Sequence, residues 1–420
     1  MTMAAIAVAT FAWAAVASGG DLDRKFGKRG LIDQSFAPLA DDASASSISL
    51  FGDDRFVVAG RAATGNATGF GVARYTPKGK LDRSFSDDGL LVVPVGGFVI
   101  DLAVAALDDG RTAFVGGESP PVADAPAEAE IVRLLPEGSP DPSLDGDGSV
   151  TVPLPAGDFF GDAAIGPDGS AVIASTDGDS LRVARVGADG QLDLAFGEGG
   201  SRVVPLPGPD VVFGDISLAP DGRILVSAGA GDQSSKTDLY VARLTVAGAL
   251  DPSFSGDGIA SADVGRNDFG GELVIDRRGR VLVTDSLNRR QGLVRFGADG
   301  ELDTGFGEGG AFVHPSSYGF TSNLGEDPEG VFTQGKKILL FTETSTNTIR
   351  DDFLLLRLRP NGTLDRRFSG NGKARVDFGG NDGPYAGAVQ STGRILLAGY
   401  HDAGKVSNPK LTFAIAGIRK

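Results

Sequence analysis

A Leu-Asp-x-x-Phe mark followed by a glycine-rich turn recurs along the chain, and a motif that returns in order at a long, nearly fixed interval restricts it to architectures stacked from copies of one unit. The mark stands at Leu22-Asp23 to Phe26, Leu81-Asp82 to Phe85, Leu192-Asp193 to Phe196, Leu250-Asp251 to Phe254, Leu302-Asp303 to Phe306 and Leu364-Asp365 to Phe368. A degenerate copy lies at Pro140-Asp141 to Leu144. Successive marked aspartates are 59, 59, 52, 58, 52 and 62 residues apart, and 365 to 420 adds about one more period. Seven units therefore fill the chain.

Between marks the texture is constant. Alternating apolar residues lead to a turn, a β-rich run, a variable polar stretch and a second run. The turn and run are seen in Asp221-Gly222-Arg223-Ile224-Leu225-Val226, Arg278-Gly279-Arg280-Val281-Leu282-Val283 and Thr392-Gly393-Arg394-Ile395-Leu396-Leu397. A Gly-containing dipeptide between two β runs predicts a tight hairpin with both central residues at positive φ. Glycine supplies 63 of 420 residues, about twice ordinary usage, which suits a chain that turns this often. Four short strands per unit and no helical periodicity predict an all-β fold: a seven-bladed β-propeller of four-stranded blades, each unit burying its faces against its neighbours.

The sequence resembles the delta-60 repeat family, bacterial proteins whose units carry this mark and hairpin. The matching runs are Leu250-Asp251-Pro252-Ser253-Phe254-Ser255-Gly256-Asp257-Gly258 and Ala219-Pro220-Asp221-Gly222-Arg223-Ile224-Leu225-Val226. The resemblance spans residues 19–420 and implies a repeat propeller. It implies no activity.

Six units carry an arginine eight residues before the marked aspartate: Arg74 and Asp82, Arg133 and Asp141, Arg185 and Asp193, Arg243 and Asp251, Arg295 and Asp303, Arg357 and Asp365. A constant offset across loops of varying length predicts that the two side chains meet in a charge-assisted contact fixing the turn into the outer strand. In the last unit Gly417 stands where the arginine belongs, and Asp23 has no preceding partner. We expect residues 30–39 to close the last blade beside 411–418, with Arg419 as the substitute partner of Asp23.

Non-repeating residues are the better functional candidates. Counting seven residues back from the hairpin glycine reaches the innermost strand and finds Asp162, Asp215 and Glu272 in three successive units, with Ala103 and Ala386 in two others. Glu326, Asp327 and Glu329 lie in the corresponding stretch of the sixth. Carboxylates converging on a channel mouth suit a hard cation such as Ca²⁺, which takes six to eight oxygens. Acids that bond backbone N–H groups in turns are the bland alternative. His314 and His401 lack zinc or triad spacing and read as loop residues, His314 at the surface.

A net charge of −16 with no basic stripe disfavours nucleic acid. The absence of cysteine removes disulfides, thiolate ligands and a thiol nucleophile. Residues 4–16 form an apolar run too short to span a bilayer, ending in Ala15-Val16-Ala17, so residues 1–18 read as a signal peptide, although Met1-Thr2-Met3 has no basic residue. The remaining 19–420 read as one domain, secreted or at the cell envelope, with no transmembrane segment, and monomeric. The expected function is a non-catalytic binding or scaffold module for a protein or an envelope polymer, displaying loops such as 118–130, 229–237 and 345–352. The alternative is a Ca²⁺-dependent hydrolase or lyase using Asp162, Asp215 and Glu272.

Overall fold

The computed structural model describes residues 21–65, 67–95, 98–119, 127–232, 236–264, 268–286, 291–314, 330–344, 351–402, 404 and 410–420. They form seven four-stranded antiparallel sheets, the blades of a β-propeller. Six blades are continuous in sequence, and blade 4 is typical: Val212–Leu218, Ile224–Asp232, Lys236–Leu244 and Ile259–Ala262, from the channel outward. In the seventh, Leu31–Gln34 adds as the outer strand to Leu411–Ile418, with Leu31 opposite Ala416 and Gln34 opposite Phe413. The expected closure is therefore present. It completes blade 7 with a strand from the other end of the chain and so ties the ring shut.

The marked turns hold neighbouring blades together. Each arginine reaches its aspartate: Arg74 and Asp82 at 3.0 Å, Arg133 and Asp141 at 2.7 Å, Arg185 and Asp193 at 2.5 Å, Arg243 and Asp251 at 2.9 Å, Arg295 and Asp303 at 2.8 Å, Arg357 and Asp365 at 3.2 Å. The same guanidinium lies over the Phe of the mark, 4.2 to 4.9 Å from the ring in five blades, where a cation meets the negative face of the π-system. It also crosses to the next blade: Arg74 Nη1 donates to the carbonyl of Pro136 at 2.5 Å, Arg133 to Ala188 at 2.6 Å and Arg243 to Ala298 at 2.7 Å. Backbone bonds follow the same seam, Ser86 N–H to Glu137 O at 2.7 Å and Ser255 N–H to Asp299 O at 2.6 Å. The buried Phe85 ring packs against Gly138 of the next blade, at φ +93°, where a Cβ would fall 3.1 Å from the ring and 2.9 Å from Ser86 N. Glycine is what lets the seam close.

A second cation on most marked aspartates is not foreseen in the sequence reading. The residue after the hairpin glycine, or its equivalent, reaches the same carboxylate: Arg55 to Asp82 at 3.3 Å, Arg111 to Asp141 at 2.7 Å, Arg223 to Asp251 at 3.2 Å, Lys337 to Asp365 at 2.8 Å. Blade 3 has Ser170 there, and its Arg185 and Asp193 side chains are 23% and 31% exposed, against 3% and 4% for Arg133 and Asp141. In blade 7 this hairpin residue is Arg394, and it, rather than the expected Arg419, binds Asp23 at 2.6 Å. Gly417 is compatible with this because the Phe26 ring fills the space a side chain would need, 2.5 Å from a built Cβ. The hairpins also differ from expectation. In six blades they are five-residue turns such as 107–111, closed by Leu107 N–H to Arg111 O, with positive φ at one residue alone, the glycine or, in blade 1, Asp54.

Burial works most strongly against ionising Asp251, yet the Ser253 hydroxyl and N–H, with Arg223 and Arg243, outweigh it and hold the carboxyl down at about 2. Asp82, Asp141 and Asp365 are also held low. Because the folded-state values lie below the unfolded range near 4, this stabilisation is present above about pH 4 and is lost as pH falls toward 2. Asp141→Asn, which strands two arginines at a buried seam, should cost about 3 kcal/mol in urea denaturation. Asp193→Asn should leave the midpoint near wild type, and wild-type stability should decline between about pH 4 and 2.

Candidate functional site

Residues seven before the hairpin glycine, or in blade 1 seven before Asp54, which takes the positive φ there, do form a ring. Ser47, Ala103, Asp162, Asp215, Glu272 and Ala386 line one central cavity of about 230 Å³. The backbone reason is a bulge in the innermost strands, between Ala45 and Ser47, Phe160 and Asp162, Phe213 and Asp215, and Pro384 and Ala386, which re-aims the following side chain. At Gly214, inside one bulge, a Cβ would lie 2.6 Å from Ser227 Oγ and 3.0 Å from the backbone of Gly270, so the bulge requires glycine. The acids occupy one wall, on blades 3 to 5. Phe332 and the half-exposed Tyr385 stand on the wall of blades 6 and 7.

The ring position has a structural task in two blades. Ser47 Oγ accepts the N–H of Val104 on the next blade at 3.1 Å. Asp215 does the same: Oδ2 accepts from Leu273 N–H and Oδ1 from Ile216 N–H, both at 2.7 Å. Asp162 Oδ1 accepts from Ala163 N–H at 2.6 Å, and Glu272 is exposed. Among the described residues, two trios of acids bring oxygens within 4.8 Å of one another, and the channel acids are not one of them. The channel gathers Asp162, Asp215 and Glu272 around one space without drawing their oxygens that close. Glu326, Asp327 and Glu329 lie outside the described residues.

The trios that do converge are Asp238, Asp263 and Asp268, and Asp352, Asp377 and Asp382. Each sits on a seam, between blades 4 and 5 and between blades 6 and 7, on the face opposite the marked turns. Asp382 opens the innermost strand of blade 7 (Asn381–Val389) and is fully buried; its Oδ2 accepts the Phe378 N–H at 2.7 Å. Burial, reinforced by Asp352 and Asp377 and only partly offset by the Phe378 N–H and His401, pushes its carboxyl up to about 7. Asp352 is raised by burial against the pull of Arg375.

Both histidines are buried, which corrects the surface reading of His314, whose Nε2 is 3.1 Å from Lys373 Nζ. His401 lies in the second strand of blade 7 (Ile395–Asp402), opposite Asp382 in register. Its Nδ1 is 3.3 Å from Asp33 Oδ2 on the closing strand, its Nε2 is 3.9 Å from Asp382 Oδ1, and its ring stacks on Phe378 at 6.0 Å. Asp33 raises the imidazole, and Asp382 adds to the effect against burial.

Residues 52–85 and 219–254, each a hairpin with the following mark, match a family described as a domain of unknown function (DUF5122) β-propeller. No curated protein matches the chain. Among solved structures it is similar to a protein of unknown function from Dyadobacter fermentans, at 14% identity over 93% of this chain and 98% of that one, TM-score 0.47. A protein of unknown function from Bacteroides caccae aligns at 12% identity over 65% of this chain and 87% of that one, TM-score 0.36. The polysaccharide lyase Uly1 aligns at 11% identity over 91% of each chain, TM-score 0.49. No helix of the described residues is long and apolar enough to cross a membrane.

If Asp215 serves the seam, Asp215→Ala should leave the Leu273 and Ile216 N–H groups unpaired and cost about 1 to 3 kcal/mol in thermal or urea unfolding. An unaltered midpoint for Asp215→Ala would remove the structural assignment.

Proposed function

We propose that the chain is an exported binding or scaffold propeller that engages a protein or an envelope polymer through one face of its ring. The supporting observation is a difference in connection length between the two faces. On the marked face, the links between third and outer strands span 76–89, 135–148, 187–200, 245–258, 297–310 and 359–372, fourteen residues in every case. The hairpins there are five residues long in six blades and two in blade 6. On the opposite face, the links between second and third strands run from two residues (65–66) to nine (344–352), and those between blades reach sixteen (314–329).

On the uniform face the marked aspartates and the arginines that reach them are committed to the seams. A face free to change length and composition without disturbing those seams is where recognition is economically placed, since loops on a rigid scaffold tolerate variation. The acidic balance fits polar, non-nucleic partners.

Replacing 120–126 and 345–350 with glycine-serine linkers should abolish sedimentation with purified envelope polysaccharide or capture on a glycan or protein array. Charge reversal at Lys80 and Arg83 on the uniform face should leave binding intact, and the reverse pattern would refute the assignment. For export, intact-mass measurement of protein recovered from outside the cell should give a chain that starts near Gly19. Material retaining Met1 would contradict it.

A further inference from the structure

We propose that Asp352, Asp377 and Asp382 form a binding site for a hard divalent cation, Ca²⁺ by preference, at the seam of blades 6 and 7 on the variable face. This site is distinct from the channel acids, and it stands independently of the binding role proposed above.

Each carboxylate has one oxygen fixed by a neighbour. Asp352 Oδ2 accepts from Arg375 Nε at 2.5 Å and from Thr344 Oγ1 at 3.3 Å. Asp377 Oδ1 accepts from Gly379 N–H, and Asp382 Oδ2 from Phe378 N–H, both at 2.7 Å. The second oxygens remain. Asp382 Oδ1 is the decisive one: the residue is fully buried, this atom has no hydrogen-bond donor, and the imidazole Nε2 of His401 stands 3.9 Å away. Burying a carboxylate oxygen with nothing bonded to it is costly, and a bound cation removes that cost.

The three groups approach within 4.8 Å of one another. Two oxygens on one Ca²⁺ lie at most about 5 Å apart, twice a metal–oxygen distance of roughly 2.5 Å, so one ion fits between them. Asp377 is only partly buried, which leaves a side open for the waters that complete six to eight ligands. An all-oxygen donor set selects Ca²⁺ over zinc or copper.

The repeat supplies an independent comparison. Asp238 and Asp352 each precede the third-strand arginine (Arg243, Arg357) by five residues. Asp263 and Asp377 follow the marked aspartates (Asp251, Asp365) by twelve, and Asp268 and Asp382 follow them by seventeen. The same trio is thus built twice, down to the N–H of Val264 on Asp268 Oδ2 at 3.0 Å, as Phe378 bonds Asp382. In the blade 4 copy a cation is already present: Lys236 Nζ lies 3.0 Å from Asp238 and 2.6 Å from Asp263. The arrangement accepts positive charge at its centre, and in the blade 6 copy the acceptor oxygens of Asp377 and Asp382 face no such ammonium among the described residues. Arg350 holds the sequence position of Lys236 and lies outside them.

The test is calorimetric titration of CaCl₂ into the EDTA-treated, dialysed mature chain, paired with thermal melts. We expect one saturable site and a raised melting midpoint, with Asp377→Asn and Asp382→Asn each weakening binding roughly tenfold or more. Asp263→Asn and Glu272→Ala should bind as wild type does. The half-exposed Asp377 keeps the test valid should Asp382→Asn fold poorly. Two results would overturn the proposal: a wild-type chain with neither heat nor melt shift up to about 10 mM Ca²⁺, above the range of weak extracellular sites, meaning that the cluster holds no ion; or binding lost in Glu272→Ala and retained in Asp377→Asn, meaning that the ion sits in the channel.

Discussion

The contact on which the ring depends is the clamp of arginine, aspartate and phenylalanine at the turn into each outer strand. Within a blade, antiparallel pairing satisfies the backbone, but nothing in that pairing joins one sheet to the next. The clamp makes the join: the aspartate orients the guanidinium, which covers the ring and donates across the seam, as Arg74 does to Pro136 and Arg243 to Ala298. Hydrophobic packing of clusters that mix residues from adjacent blades, such as Val72 with Val104 and Val226 with Val183, supplies bulk affinity between faces. The clamp supplies register, because a charge-assisted contact has a narrow geometry.

Confining that register to one face leaves the other free. The fourteen-residue links cannot lengthen without disturbing the Asp, the ring and the carbonyl beyond, whereas links on the opposite face contribute no part of the clamp. The departures from the repeat are informative in the same way. Leu144 replaces the phenylalanine in blade 2, and there Asp141 still holds both Arg133 and Arg111 at 2.7 Å. Where Ser170 supplies no such cation, the seam around Asp193 is wetter and Leu192 is 42% exposed beside an apolar perimeter cavity of about 350 Å³.

Much of this was legible in the chain because it is written at short range. The eight-residue offset between Arg and Asp survives every change in loop length, so the pairs and the blade count follow from spacing alone. The count of seven from the hairpin glycine found the channel ring for a related reason: the hairpin is rigid. The partner of Asp23 is Arg394 on the hairpin rather than Arg419, and the sequence pattern offers it only through its counterparts Arg223 and Arg280, which follow the hairpin glycine in other units. The aspartate trios were missed because their members come from separate strand ends and links at the seam of two blades. Their signal, acids at offsets of five before the arginine and of twelve and seventeen after the marked aspartate, becomes meaningful once the seam is built. Asp215 was recognised as a channel residue, but its bond to Leu273 joins positions 58 residues apart, which no local pattern announces.

The most direct measurement is residue-resolved hydrogen exchange on an Asp82→Asn variant, following the amides at the seam between blades 1 and 2. If the clamp sets blade-to-blade register, Ser86 N–H, bonded to Glu137, and its neighbours should exchange much faster than in the wild-type chain. Amides inside blade 1, such as those pairing Val58 with Ala73, should keep their protection. Unchanged exchange at Ser86, or a uniform loss of protection through blade 1, would contradict the account.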